Sequence, residues 1–209
     1  MARPARVSPD RILLAAAAEF AARGYAGARV DRIARRARVN KAMLYYHFGS
    51  KQALYRTLLR RTFAEAGARL AAVADGDEPP DAQIDLLIAG VAAFIRDHEY
   101  FPAIMLRELA EGGAHLDRDT LAALASVPRA VAAIVERGVA RKAFRPVHPL
   151  VAHFSIVAPI AVFLAGAPIR RELAERQLMA GAALTPEAFV QQMQQMLRGA
   201  LGAEGRDKE

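Results

Sequence analysis

The sequence predicts an all-α protein in two parts, a small basic head and a larger apolar body. Strong helix formers recur along the 209 residues, and no stretch alternates apolar and polar residues long enough to indicate a sheet. Residues 1–61 hold 14 of the 29 Lys and Arg but three of the 22 Asp and Glu, a net charge of +11, whereas the rest carries −4. We therefore expect a three-helix head in residues 1–50, a helical body in residues 51–203 and a flexible tail in residues 204–209.

Short sequence signals mark the ends of the three helices in the head. Ser8 followed by Pro9 is an N-terminal cap, and Gly24 adopts without penalty the left-handed conformation that closes a helix. Two short helices joined by a tight turn follow between Val30 and Phe48. Apolar residues at helical spacing form their inward faces: Val30, Ile33, Ala34 and Ala37 on the first, and Val39, Leu44 and Phe48 on the second.

The body is predicted to be a series of helices separated by Gly and Pro signals. Ser50 caps a long fourth helix, and the polar run at residues 75–80 ends it. Pro128 indicates a kink or a boundary in the segment around it. The further predicted helices are residues 81–98, a shorter one closed by Gly112 and Gly113, and residues 119–142, 150–165, 168–179 and 185–201.

The two short helices of the head have the layout of a helix-turn-helix. In that motif the first helix crosses the DNA backbone and the second lies in the major groove. A solvated Arg-rich surface is the ordinary alternative, but confinement of the charge to the head favours a polyanionic partner. The outward residues are Arg32, Arg35, Arg36, Lys41, Tyr45 and His47.

Residue types divide the expected DNA contacts into two groups. Lys41 donates well to guanine, while Ala42 and Met43 suit apolar contact with a thymine methyl group, so these three are the candidates for base contact. The candidates for backbone contact carry groups suited to phosphate oxygens: Arg29, Asn40, Tyr45, Tyr46, His47 and Lys51. The two tyrosines could instead be core aromatics, and we expect one of them to be partly buried. Arg3 and Arg6 precede the first helix on an arm that could enter the minor groove or remain solvated.

Three segments of the head carry a resemblance to a known family: ILLAAAAEFAARGYAGARV, DRIARRARV and NKAMLYYHFGSKQAL. They resemble the DNA-binding domain of the tetracycline-repressor (TetR) family of bacterial transcription regulators. The resemblance implies that residues 41–43 face bases and that Tyr45, Tyr46, His47 and Lys51 meet the DNA backbone. It also implies that the body binds a small-molecule effector and forms a homodimer.

The head departs from the family pattern at the turn and at one helix start. Arg38 stands where the family usually has Gly, so we expect an arginine at a positive φ in the turn. Ala28 and Arg29 stand where the family commonly has Thr or Ser. The hydroxyl cap is therefore missing, and we expect Arg29 to take over its phosphate contact. Ala42 and Met43 also differ from the usual residues, so the operator sequence cannot be inferred from a relative.

The body shows no catalytic or metal-binding pattern. The sequence has no cysteine, which excludes a disulfide framework, a thiolate metal site and a Cys nucleophile. The histidines of the body are scattered: His98, His115, His148 and His153. A metal pair at His148 and His153 is a weak alternative to a surface and a core histidine. No segment offers about 18 uninterrupted apolar residues. We expect no enzyme activity, no metal, no cofactor and no membrane partner, and a cytoplasmic, nucleoid-associated protein.

Two apolar stripes in the body are candidates for a dimer interface. Two such helices with their copies would form a four-helix seam. The alternative is that both stripes face the core of their own protomer. The candidate residues are Leu150, Phe154, Val157 and Ala161 on one helix, and Phe189, Met193 and Leu197 on the other.

A further group of residues in the body is a candidate effector pocket. Aromatic and Met side chains beside a Pro-interrupted helix can leave an adaptable cavity, although ordinary core packing explains each residue as well. The candidates are Phe94, His98, Phe101, Met105, Phe144 and Phe154.

Together these patterns predict a dimeric transcription regulator, most simply a repressor that binds a palindromic operator and is released by a small-molecule effector. The alternative is a DNA-binding regulator or architectural protein without an effector. A helical enzyme or lipid-binding protein with an incidental basic surface fits the pattern least.

Overall fold

The computed structural model describes residues 8–181 and 183–203, and within them the chain runs through eleven helices. They are α1 (Pro9–Gly27), α2 (Val30–Arg36), α3 (Lys41–Phe48), α4 (Lys51–Ala74), α5 (Pro80–Asp97), α6 (Phe101–Ala110), α7 (Arg118–Leu124), α8 (Ser126–Ala140), α9 (Pro149–Ala165), α10 (Ala167–Glu175) and α11 (Pro186–Leu201). An isolated backbone bridge between Phe144 and Gly202 is the one extended pairing in this part of the chain. The all-α prediction is confirmed.

Helices α1, α2 and α3 pack around one apolar core. Ser8 caps α1, since its hydroxyl oxygen accepts the Asp10 N–H at 3.2 Å. Gly24 has φ +67°, so α1 kinks there and continues to Gly27. Ile33 and Leu44 are completely buried between the helices, as the apolar spacing predicts. This core holds the two short helices at a defined angle and leaves their polar faces in solvent.

Helix α4 connects the head to the body because it contributes to both cores. Ser50 caps it as predicted, accepting the Ala53 N–H at 3.0 Å. Its first half, with Leu54 and Leu59, completes the core of the head. Its second half, with Leu70, joins α5, α8, α9 and α11 in the core of the body. The division of the chain at residue 50 therefore stays a prediction.

The structure corrects one predicted boundary in the body. The segment 119–142 is two helices, and the break lies at Ala125 rather than at Pro128. A proline clashes with the carbonyl four residues earlier, which here belongs to Leu124, the last residue of α7. The proline therefore ends the preceding helix and is accommodated in the first turn of α8.

The predicted tail at residues 204–209 and the arm with Arg3 and Arg6 lie outside the described residues. Among the helices described, none is by itself long and apolar enough to cross a membrane. The helices α9 and α10, which are bent by 56° at their junction, would together be long and apolar enough to span a membrane, by length and composition only.

Candidate functional site

Helix α3 is held from one side and open on the other. Asn40 caps it, because its side-chain oxygen accepts the Met43 N–H at 2.7 Å. Leu44 is completely buried and anchors the helix to the head. Lys41 and Ala42 are exposed on the first turn, and Met43 is half-buried. The candidate base-contacting residues thus lie at the N-terminal end of an exposed helix, which is the end that reaches bases in helix-turn-helix proteins.

Lys41 is paired within the protein. Its Nζ lies 3.0 Å from Oδ1 of Asp31 on α2, and both side chains are exposed. The hydrogen bond to Asp31, and then its charge, raise the pKa of Lys41 above the usual value. The ammonium group is consequently charged, and a DNA base or phosphate would compete with one exposed carboxylate for it.

The aromatic residues after Lys41 differ in exposure. Tyr46 is 83% exposed and Tyr45 is 41% exposed, so neither belongs to the core and Tyr45 is the more buried of the two. His47 is also exposed, and its ring meets that of Tyr46 edge to face. Their hydroxyl and imidazole groups extend the polar surface of α3 beyond its first turn.

Lys51 has a structural partner that the sequence did not reveal. Its Nζ donates to the Ala28 carbonyl at 2.9 Å and to the Ala26 carbonyl at 3.4 Å, and it lies 4.6 Å from the centre of the Tyr25 ring. The lysine thereby ties the kinked end of α1 to the start of α4. An ammonium group has three donors, so one remains for a phosphate.

The two departures from the family pattern, at Arg38 and at Arg29, are both visible in the structure. Arg38 has φ +52°, the predicted left-handed turn residue. Arg29 starts α2 without a side-chain cap, as predicted. Instead Glu19 on α1 accepts the Arg29 N–H at 3.3 Å and lies 3.5 Å from Arg32. Sequence reasoning missed Glu19, because this partner of Arg29 lies ten positions away in the chain.

A cavity of about 320 Å³ opens in the body between α4, α5, α6, α8 and α9. Four of the candidate pocket residues line it: Phe94, Phe101, Met105 and Phe154. His153 also lines it and was not among the candidates. A volume near 300 Å³ lies at the lower end of the range for small-molecule sites.

Two pocket candidates were wrong. The Phe144 ring packs over Gly138, where an added Cβ would lie 2.0 Å from Phe144 Cδ2, so the ring is buried away from the cavity. His98 lines a separate groove beside α1, with Nδ1 3.0 Å from the Phe94 carbonyl and Nε2 3.3 Å from Glu65. These partners turn the imidazole away from the apolar cavity.

The predicted dimer stripes also need correction. Met193 and Leu197 are 5% and 6% exposed and belong to the core of their own protomer, so their assignment to a seam was wrong. Phe189 is half-buried and stacks on Phe163 at 3.9 Å. The stripe on α9 lines the cavity: Leu150, Phe154, Val157 and Ala161. Leu150 and Phe154 are also 49% and 62% exposed, so the place of this stripe in a seam stays a prediction. The apolar residues that remain exposed on these helices include Val151, Val162 and Met196.

A buried polar network joins the head to α6. Tyr55 on α4 donates its hydroxyl to Oε2 of Glu108 at 2.8 Å, and the His115 N–H donates to Oε1 at 2.9 Å. Burial, and then this hydrogen bond, raise the pKa of Tyr55 far above its usual range. Glu108, Glu111 and His115 have side-chain ligand atoms within 4.8 Å of one another, the spacing of a possible metal site. Glu108 already has partners on both oxygens, so hydrogen bonding explains the cluster.

In the comparison with known proteins, both parts of the chain match a family model. Residues 12–58 match the family model described as bacterial regulatory proteins, tetR family. Residues 80–195 match the model described as tetracyclin repressor-like, C-terminal domain.

Individual relatives agree with these matches. The HTH-type transcriptional repressor SCO4008 of Streptomyces coelicolor is 47% identical over 60 residues, which cover 29% of this chain and 31% of the relative. The HTH-type transcriptional repressor NicS of Pseudomonas putida is 30% identical over 138 residues, or 65% of each chain. The chain thus spans less than two thirds of either relative. The solved structure of the ketosteroid transcriptional regulator KstR2 of Mycobacterium tuberculosis superposes with a TM-score of 0.71 at 22% identity, covering 97% of this chain and 98% of that one.

These relatives are transcription regulators and not enzymes, in agreement with the absence of a catalytic pattern in the sequence. The second family model alone covers more than half of the chain, and the first covers the helix-turn-helix. The chain therefore belongs to the TetR family of bacterial transcription regulators.

Proposed function

We propose that this protein is a repressor that binds a palindromic DNA operator as a homodimer and leaves it when a small molecule enters the apolar cavity. The observation that carries the proposal is the basic helix α3, anchored by the buried Leu44 and exposed at Lys41 and Tyr46. The curated relatives SCO4008 and NicS are named as repressors, which supports repression rather than activation.

On this proposal the residues of the head divide into two roles. Lys41, Ala42 and Met43 contact base edges and supply sequence specificity. Contacts to the DNA backbone orient the head without reading sequence. The residues proposed for backbone contact are Arg29, Asn40, Tyr45, Tyr46, His47 and Lys51. Asn40 caps α3 through its side-chain oxygen, and its side-chain N–H group is the donor that we propose for a phosphate oxygen.

Dimerisation is supported by apolar side chains that remain exposed on α9 and α11. Val151 and Met196 each expose more than half of their surface. A single helix in a major groove buries little area, whereas two heads about 34–36 Å apart read both halves of a palindrome. We propose that these outward faces, and not Met193 or Leu197, form the seam.

Helix α6 is proposed to transmit the effector signal, because its two faces belong to different parts of the protein. Phe101 and Met105 line the cavity, while Ile104 is buried in the core of the head. The head is further linked to α6 through Glu108 and Tyr55. A ligand that is accommodated only after α6 shifts would favour one spacing of the heads, and a ligand acts only through such a difference in affinity.

The experiment is fluorescence anisotropy with the DNA that flanks the gene of this protein. We expect binding that weakens steeply as salt rises. Lys41→Ala should reduce affinity for the palindrome with little effect on unrelated DNA, whereas Arg29→Ala should weaken binding to both and lower the salt slope by about one. Arg141→Ala, an exposed arginine of the body, is the control. Affinity that ignores sequence, or a Lys41→Ala variant that binds like the wild type, contradicts the proposal.

A further inference from the structure

The wall of the apolar cavity contains a single polar residue. Among the described residues that line it, His153 on α9 is the only one with a polar side chain, and none is charged. The remaining wall is aliphatic and aromatic, with Phe94, Phe101 and Phe154 as its largest members. A site of this kind gains affinity from apolar burial and orientation from its few polar groups.

His153 lines this wall, and one of its ring nitrogens has no hydrogen-bond partner among the described residues. This nitrogen, Nδ1, is buried. Buried polar atoms in proteins are nearly always paired, and leaving one unpaired costs stability. Burial lowers the pKa of His153, so the ring is neutral near pH 7, and Nδ1 then donates or accepts depending on the tautomer.

We infer that the effector is a neutral, mainly hydrocarbon molecule with one hydroxyl or carbonyl group, and that this group hydrogen-bonds to His153. The inference rests on the proposed function, because it names the chemistry of the effector that the cavity would hold. Once the ring turns Nδ1 toward the cavity, a hydroxyl group satisfies it in either tautomer and a carbonyl group satisfies it when Nδ1 carries the proton. The hydrocarbon part contacts the rest of the wall.

The absence of charge on the described lining disfavours ligands whose charged group would be buried in the cavity. A carboxylate, a phosphate or an ammonium group would lose its hydration in this cavity without gaining an opposite charge, which is strongly unfavourable. The volume of about 320 Å³ sets the size of the buried part.

Four probes on one scaffold test the chemistry: 4-butylphenol, butylbenzene, 4-butylbenzoate and 4-butylbenzylammonium. For each probe, we measure how far it displaces the neutral dye Nile red from the full-length protein. Release of operator DNA is followed in parallel. We expect 4-butylphenol to bind about tenfold more tightly than butylbenzene and to release DNA. The two charged probes should bind at least tenfold more weakly than the phenol.

Variants of the polar residue assign the preference to His153. His153→Leu should remove the advantage of 4-butylphenol over butylbenzene, and His153→Gln, which keeps a hydrogen-bonding group, should retain part of it. Tighter binding of the benzoate or the ammonium probe overturns the inference, and so does an undiminished phenol preference in His153→Leu.

A third variant separates this inference from the proposed effector site. Ala161→Phe places a ring in the cavity and should abolish displacement by every probe that binds. If charged probes bind the wild type and Ala161→Phe blocks them, the effector site stands and only the chemistry is wrong. If no probe binds and Nile red binding is the same in Ala161→Phe, both the inference and the proposed effector site fail.

Discussion

The exposed pair between Lys41 and Asp31 bears directly on the strength of DNA binding. The lysine is the one cation among the three residues proposed to meet bases, and its Nζ is 3.0 Å from the carboxylate. The hydrogen bond to Asp31 raises the pKa of Lys41, so the lysine is protonated whether or not DNA is present. DNA therefore competes with Asp31 for the ammonium group, and the same carboxylate repels phosphate.

Asp31→Ala should strengthen operator binding several-fold, because Lys41 is then free and one negative charge leaves the surface. Anisotropy titrations at a single salt concentration measure the change. Asp119→Ala, which removes an exposed carboxylate near Arg60 in the body, is the matched control and should change affinity little. Weaker binding by Asp31→Ala would mean that Asp31 positions Lys41 for its contact instead of competing for it.

Arg38 adopts a left-handed backbone conformation that residues other than glycine disfavour. At φ +52° its Cβ is crowded by the following carbonyl, at a cost of about 1 kcal/mol that glycine avoids. Arg38→Gly should raise the free energy of unfolding by up to about 1 kcal/mol, reduced by the greater chain entropy of glycine when unfolded. Urea denaturation measures it. Arg35→Gly, within α2, should lower stability instead, and an equal loss in both variants would argue against strain at the turn.

At the scale of elements, α6 contacts both cores, as α4 does: Ile104 is buried in the core of the head, and Phe101 packs against both cores. Its buried carboxylate at Glu108 accepts the Tyr55 hydroxyl, so a displacement of α6 acts on α4 and on the head together. Because the network is local and buried, its contribution to stability can be measured as the difference in the free energy of unfolding between the wild type and a variant that lacks one partner.

Tyr55→Phe should lower the free energy of unfolding near pH 8 by about 1–3 kcal/mol, since Glu108 loses a buried donor. The folded protein raises the pKa of Tyr55 above the unfolded value of about 10. The stabilisation from the neutral hydroxyl is thus complete below pH ~10 and is lost as the pH rises further.

The stability gap between wild type and Tyr55→Phe should therefore narrow above pH ~10. Urea unfolding at several values between pH 8 and 11 gives the gap directly, and contributions from other groups cancel in the difference. Tyr46→Phe, at an exposed tyrosine, should leave no gap at any pH. A gap that is constant up to pH 11 would show that the hydroxyl is not protected in the folded state.

At the scale of the whole molecule, the faces of α9 and α11 that stay exposed support assembly. They carry Val151 and Met196, while buried residues of the same helices belong to the core of the body and a stripe on α9 lines the cavity. Helix α9 would therefore contact both the effector and the second protomer.

Met196→Glu should shift the protein toward monomers and weaken operator binding at least tenfold, because both half-sites are no longer held together. Sedimentation velocity and anisotropy report the two effects, and circular dichroism verifies the fold. Leu121→Glu, on an exposed apolar residue of α7, should remain dimeric. If Met196→Glu is as dimeric as the wild type, the seam does not include this face of α11.

Local sequence signals predicted the elements well where the cause was local. The caps at Ser8 and Ser50 form, and Arg38 takes the predicted left-handed conformation. The boundary at Ala125 differed because a proline acts on the carbonyl four residues earlier and not at its own position.

Which side of a helix is buried, and against which partner, was harder to predict from the sequence. Nearly every residue of α9 is apolar, so its periodicity does not indicate which side is buried. On α11 the apolar stripe is clear, but a stripe indicates burial and not whether the partner is the same chain or a copy. Met193 and Leu197 were misassigned for this reason.

The sequence by itself therefore determined the all-α class, the helix-turn-helix and the residues that α3 presents to solvent, because caps, turns and helical spacing act over a few residues. Only the tertiary structure decided that α9 lines a cavity, that His153 is its one polar group among the described residues, and that Glu19, Lys51 and Glu108 hold the head in place. These features depend on contacts between residues distant in the chain, and such contacts follow from how the helices pack.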